Sequence, residues 1–223
     1  MSNIKKMISS WTATFFEANT GNDALIQLEG KKFEIPVFQR PYSWGEHQVT
    51  KLISDLFMAF QSSNGNPIED VYFIGTMQLS VKNDVYEVID GQQRLSTFLL
   101  LMKVLSEKES MVSFTFPFDF LSTKVNGGSQ QELLQDFREQ SKGGSLYEEN
   151  AKLIGRLLEE KKEGADFEVC WNDFRRFICS QVVFIVIETT ASLSKQLQIF
   201  PVQKAKYSSS SCSWHLSNSD HSF

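Results

Sequence analysis

The chain has 223 residues, a hydrophobic fraction of 41% and a formal net charge of -5, which suits a soluble globular protein with one good core or two small domains. With 22 basic residues against 27 acidic ones, overall charge does not mark a nucleic-acid binder, and any contact with DNA needs a local basic patch. No apolar run reaches the length of a membrane span, and "MSNIKKMISSWTATFF" lacks the apolar core and cleavage site of a secretory signal, so the expected compartment is the cytoplasm.

Residues 1–30 read as a mixed, polar lead-in, with "EANTGNDAL" as a loop. In "KKFEIPVFQRPYSW", Phe33, Ile35 and Val37 alternate as on a strand. Pro36 confines that strand to an edge or to its own start, and Pro41 closes it. Ser43 and Glu46 have the spacing of a capping box, and Val49, Leu52, Ile53, Leu56, Phe57 and Phe60 then recur at helical intervals. "SSNGNP" ends the helix, after which "VYFIGTMQLSV" and "VYEVI" around "KND" predict a hairpin. A helix from Leu95 to Leu105 follows directly.

Further on, "FTFPFDF" reads as extended, and Ser129 with Glu132 and Ser145 with Glu148 each predict a capped helix. "FEVCWNDFRRFICS" has a helical pattern that runs into "VVFIVIET", whose β-branched continuity predicts a buried strand. Cys170, Cys179 and Cys212 are unpaired in spacing and suit free thiols in a reducing compartment. From residue 201 the chain turns Ser-rich and aperiodic, and disorder is expected there.

Two polar knots carry the chemistry. At "VIDGQQRLST" a strand delivers Asp90, Gly91, Gln92, Gln93 and Arg94 to the start of an apolar helix. A helix N-terminus has unpaired N–H groups and a positive dipole, so it favours anions. Gly91 permits a tight turn and close approach, Arg94 offers a planar fork to phosphate oxygens, and the two glutamines can orient a water or hold a ribose or base. A functional Asp90 implies helix capping or a bridging Mg²⁺. Taken alone, the five residues equally read as a capped helix, with Asp90 as cap, Gln93 completing its box and Arg94 solvated. The second knot, "FQRPYSWGEHQ", places Gln39 and Arg40 beside Tyr42 and Trp44. That set can hold a phosphate and stack a base, or can simply be a proline turn packed on the next helix. No G-x-x-x-x-G-K-[ST] loop occurs in the chain, which excludes a P-loop NTPase.

Together, "IPVFQRPYSW", the amphipathic helix, "YFIGTMQLSV" and "YEVIDGQQRLSTFLLL" resemble the N-terminal domain of the GmrSD-type restriction endonucleases, a family marked by its DGQQR motif. The resemblance covers residues 15–110 closely and continues more loosely through "VVFIVIET" to Phe200. It implies an α/β (α+β) fold similar to ParB and sulfiredoxin, a small mixed sheet with packed helices. Residues 31–110 would form the nucleotide-binding core, residues 111–200 a helical extension ending in a buried strand and a partial helix, and residues 201–223 the disordered tail.

By that resemblance Asp90, Gly91, Gln92, Gln93 and Arg94 form an NTP and Mg²⁺ site faced by Gln39 and Arg40, with Tyr42 and Trp44 beside it. Asp90 is then the metal ligand, Asp90, Gln92, Gln93 and Arg94 the catalytic set, and GTP, ATP, CTP and UTP remain equal candidates. The implied activity is NTP hydrolysis coupled to recognition of modified phage DNA, with cutting left to an HNH-type nuclease domain or subunit. A homo-oligomer is compatible with this reading, and a membrane partner is not expected.

The resemblance breaks at Pro201, where the family's pattern gives way to the Ser-rich tail, as a frameshift or truncation after Phe200 would produce. His47, His215 and His221 are the three histidines, too few and too scattered for an HNH nuclease. Cys212, His215 and His221 read as tail residues rather than metal ligands. Two other readings follow from the same residues: a ParB-like nucleotide-gated DNA-binding or scaffold module without hydrolysis, and an inactive remnant that keeps the fold.

Overall fold

Residues 8–15, 25–28, 30–62, 71–82, 84–108, 118–128, 131 and 145–189 are described in a computed structural model of the chain. They all fall within one unit, Met1–Thr190. The strands are β1 (Ile8–Thr14), β2 (Leu25–Gln27), β3 (Lys32–Ile35), β4 (Tyr72–Lys82), β5 (Val85–Asp90), β6 (Leu121–Thr123) and β7 (Val182–Thr189). The helices are α1 (Glu46–Ser62), α2 (Gln92–Lys108), α3 (Leu146–Glu163) and α4 (Trp171–Ser180). All seven strands join one mixed sheet in the order β2-β1-β7-β4-β5-β3-β6. The expected α/β architecture is therefore what the chain adopts.

The expected hairpin forms as β4 and β5, antiparallel, with Asp84 in the left-handed region at φ 61 in its turn. "VVFIVIET" forms β7, buried next to β4 in parallel register and antiparallel to β1. The sheet also recruits the stretch read as a polar lead-in. In β1, Ala13 is buried, Trp11 is half-buried against the core, and Trp11 Nε1 donates to Glu188 Oε2 at 3.2 Å. The stretch around Phe118 forms a 3-10 turn before β6 rather than continuing extended. Val37, expected on the strand, lies beyond β3 and is 66% exposed.

Helix α2 is buried from Leu95 to Met102 on every side, as a helix apolar all round must be. It packs on α3 and α4, and through Phe98 it meets Phe15 and Phe184 of the sheet side. On the sheet side Phe15 stacks on Phe98 with ring centroids 4.1 Å apart and meets Phe120 and Phe184 edge-on. In the helical layer Phe60 sits among Phe57, Phe167, Phe174 and Phe177. Ser145 caps α3 as its spacing predicts, its Oγ accepting from the Glu148 N–H at 3.2 Å.

The cap of α1 differs from the expected one. The Gly45 carbonyl accepts from the Val49 N–H at 3.2 Å and Gln48 Oε1 accepts from the Gly45 N–H at 3.2 Å. The box therefore runs from Gly45 to Gln48, two residues past the Ser43–Glu46 pair, because Ser43 is engaged elsewhere. The helix expected after Ser129, the Ser-rich tail, Cys212, His215 and His221 lie outside the described residues. Among the described residues, no helix is long and apolar enough to cross a membrane.

Candidate functional site

Strand β5 ends at Asp90, the chain turns through Gly91 at φ 94, and α2 begins at Gln92. A side chain on Gly91 would meet the backbone of Met77 and the Thr76 carbonyl at 3.5 Å. The Leu95 N–H donates to the Gly91 carbonyl at 3.0 Å, which makes Gly91, not Asp90, the residue that opens the helix. Among the described residues no side chain caps α2, and its first turn carries no acid. The exposed Asp90 side chain forms no hydrogen bond or ion pair among them. The capped-helix reading of Asp90 is thereby set aside, and the first N–H groups of α2 keep their positive field.

The two knots are stitched together by their glutamines. Gln39 Nε2 donates to the Ile89 carbonyl at 2.7 Å, which turns its Oε1 toward Gln92, whose Nε2 donates to it at 3.2 Å. Gln93 Nε2 donates to the Pro41 carbonyl at 3.1 Å, while Gln93 Oε1 accepts from the Ser43 N–H at 2.7 Å. The Ser43 Oγ turns to the same Gln93 Oε1 at 3.4 Å rather than to α1. This stitching also divides the pair of glutamines by role. Gln93, buried and used at both ends of its amide, is committed to holding the loop, whereas Gln92 keeps its Oε1 without a partner among the described residues.

Tyr42 is buried, with its ring stacked on Tyr147 at 4.6 Å between centroids. Thr97 Oγ1 donates to the Gln93 carbonyl at 2.9 Å, so its single proton is used and the Tyr42 hydroxyl donates to Thr97 Oγ1 at 2.7 Å. Asn150 Nδ2 then donates to the Tyr42 oxygen at 3.1 Å and to the Trp44 carbonyl at 2.7 Å. Burial raises the Tyr42 phenol above its usual range, although the Thr97 and Asn150 hydrogen bonds pull the other way. Burial raises Tyr147 further still, with the neighbouring Tyr42 adding to it. Trp44 is half-buried against the core. Tyr42 thus anchors the loop with its ring buried against Tyr147, and Trp44 stays partly exposed beside it. The exposed aromatic on this loop is Phe38, at 47%.

The two arginines of the knots make different contacts. Arg94 reaches back to β4, where its Nη1 donates to the Thr76 carbonyl at 3.1 Å, the same carbonyl that the Gly91 turn approaches. Four of its five N–H donors remain. Arg40 is exposed and unpaired among the described residues, and it lines a cleft with Gln92, Gln93, Ser96, Thr123 and Tyr147. That cleft has room for about one water molecule. Among the described residues no three His, Cys, Asp or Glu side chains converge on a metal position. The single free carboxylate of Asp90 fits Mg²⁺ only together with other ligands, since that ion is commonly held by one or two carboxylates along with substrate phosphates and water.

The residues that sequence reasoning did not single out are Thr97, Tyr147 and Asn150, which lock the loop to α2 and α3, and Gly75 and Thr76, on which Arg94 rests. Their separations along the chain, 108 residues between Asn150 and Tyr42, leave no local pattern to read.

No protein with a curated description matches the chain. The family model described as GmrSD restriction endonuclease, N-terminal domain, matches residues 23–205, a span that takes in both knots, strands β2 to β7 and helices α1 to α4. The chain accordingly belongs to the GmrSD restriction endonuclease N-terminal domain family.

Proposed function

We propose that this restriction-system module binds a nucleoside triphosphate with Mg²⁺ at the N-terminus of α2 and hydrolyses it in the course of recognising modified phage DNA, cutting being left to a nuclease domain or partner. The observation that carries the reading is the convergence at Gly91. A side-chain-free turn opens an uncapped helix, and the Arg94 guanidinium lies on the Thr76 carbonyl next to that turn. Unpaired helix N–H groups and a guanidinium fork are both complementary to phosphate oxygens. Arg40, exposed and unpaired, adds a second cation from the neighbouring loop.

Each remaining residue takes the part its contacts leave open. Asp90 would hold Mg²⁺, which when bound neutralises charge on the phosphate oxygens. Gln92, with its free Oε1, orients the attacking water, and Gln93 positions the loop. Phe38 supplies the ring on which a base stacks.

The test is phosphate release from GTP, ATP, CTP and UTP, with and without modified DNA. Asp90→Ala and Arg94→Ala are expected to abolish turnover with an unchanged circular dichroism spectrum, and Phe38→Ala to lower affinity without slowing turnover of bound nucleotide. Turnover equal to that of the unmodified protein in the Asp90 and Arg94 variants would refute these roles. The second reading, a nucleotide-gated DNA-binding or scaffold module without hydrolysis, is favoured by one observation: Gln93 and Gln39 are both consumed by structural hydrogen bonds, which leaves a single glutamine for water activation. Tight NTP binding with no phosphate released would select it.

A further inference from the structure

Strand β4 pairs with β5 only from Gln78 to Lys82, because β5 ends at Asp90 and the chain leaves for α2. The stretch of β4 from Tyr72 to Met77 therefore has β7 on one side and no strand of the hairpin on the other. Within it the register with β7 slips between Phe73 and Gly75, and Gly75 adopts φ 134. A glycine inside a strand weakens it unless a bulge or a close approach requires one, and here both are present. A Cβ placed on Gly75 would lie 2.8 Å from Arg94 Cζ, 2.9 Å from Nη1 and 3.0 Å from Nη2. All three short contacts are to the guanidinium. The head group lies flat in the space that any other residue's side chain would fill, and the next carbonyl along the strand, Thr76, accepts its hydrogen bond at 3.1 Å.

We propose that Gly75 is a positioning residue for Arg94: the bulged, side-chain-free edge of β4 is the seat that holds the guanidinium beside the α2 N-terminus. The part of this that concerns phosphate rests on the function proposed above, and the seat itself does not. An alanine at position 75 meets the guanidinium with its methyl group and is also strained by the backbone φ of 134, so both effects act against the seat. The consequence is loss of a pre-organised phosphate ligand, since an arginine free to roam must be ordered again on binding.

Two measurements test it. In the unmodified protein, with its arginine side chains labelled with ¹⁵N and Arg94 assigned by the signal missing in Arg94→Lys, the Arg94 Nη protons are expected to give separate resonances in the absence of nucleotide. The signals of exposed Arg40 should be averaged by rotation. Averaged Arg94 signals would overturn the seat, and this arm decides the matter if Gly75→Ala does not fold. In Gly75→Ala the Arg94 signals are expected to collapse to the averaged form. Affinity for the NTP that binds the unmodified protein should fall about tenfold, comparable with Arg94→Ala, and the double variant should show no further loss. Unmoved Arg94 signals in Gly75→Ala, or an equal additional loss of affinity in the Arg94→Ala background, would mean that Gly75 acts through the strand alone. If the unmodified protein binds none of the four NTPs, the proposed function fails and the resonance arm still decides the seat.

Discussion

The carboxamide of Gln93 joins residues 50 and 52 positions apart through its contacts with Ser43 and Pro41, and it does so from a position 6% exposed. Removing it leaves a backbone N–H and a carbonyl without their partner, which costs about 1–3 kcal/mol in a partly buried setting. Gln93→Ala should therefore lower the urea midpoint clearly. Arg40→Ala should leave stability within about 0.5 kcal/mol, because the side chain is exposed and unpaired, while weakening NTP binding. Equal destabilisation by the two would mean that Arg40 has a structural partner. This contrast also marks the limit of what the motif alone could tell. Residue type at positions 90–94 points to an anion site, but a glutamine that binds ligand and a glutamine that binds backbone look alike in sequence. Their difference was decided by Pro41 and Ser43, half a domain away in the chain.

At the scale of elements, periodicity revealed what was long and hid what was short. α1, the β4–β5 hairpin and β7 each bury a repeating face, so their pattern is visible over six residues or more. β2 and β6 have three residues each, too few to express a period of two. β1 was obscured by composition: Ser9, Ser10, Thr12 and Thr14 give "ISSWTAT" a polar look although it pairs along nearly its whole length with β7. Helix α3 shows a different gap. Its capping box was legible, but its role as a brace was not, because Asn150 faces inward at 2% exposure to hold Tyr42 and the Trp44 carbonyl. Asn150→Ala should cost about 1–3 kcal/mol by leaving the Trp44 carbonyl unpaired. It should also raise the KM for NTP with little change in kcat, since the loop carrying Arg40 loses its tie to α3. A variant of unaltered stability would show that the loop is held without Asn150, by Gln93, Gln39 and Tyr42.

For the whole molecule, the buried acids of the core set a limit on the alkaline side. Burial raises the phenols of Tyr42 and Tyr147 above their usual 10.0 and the thiol of Cys179 above its usual 9.0, the last in spite of the nearby Arg175. In the unfolded chain these groups ionise at their ordinary values, so above pH 9 the folded state binds more protons than the unfolded one. By linkage, stability then falls as pH rises. Their neutral forms impose no penalty below that range, so the unfolding free energy should be insensitive to these groups near neutrality and decline steadily once pH passes 9 to 10. Tyr147 provides the cleanest check. Its ring stacks on Tyr42, but its hydroxyl forms no hydrogen bond among the described residues. Tyr147→Phe keeps the stack and removes one titrating group, so it should match the unmodified protein's urea midpoint at pH 7 and show a shallower decline between pH 10 and 11. An unchanged alkaline slope in Tyr147→Phe would mean that Tyr147 is open to solvent in solution, and with it the packing that braces the loop of Arg40 against α3.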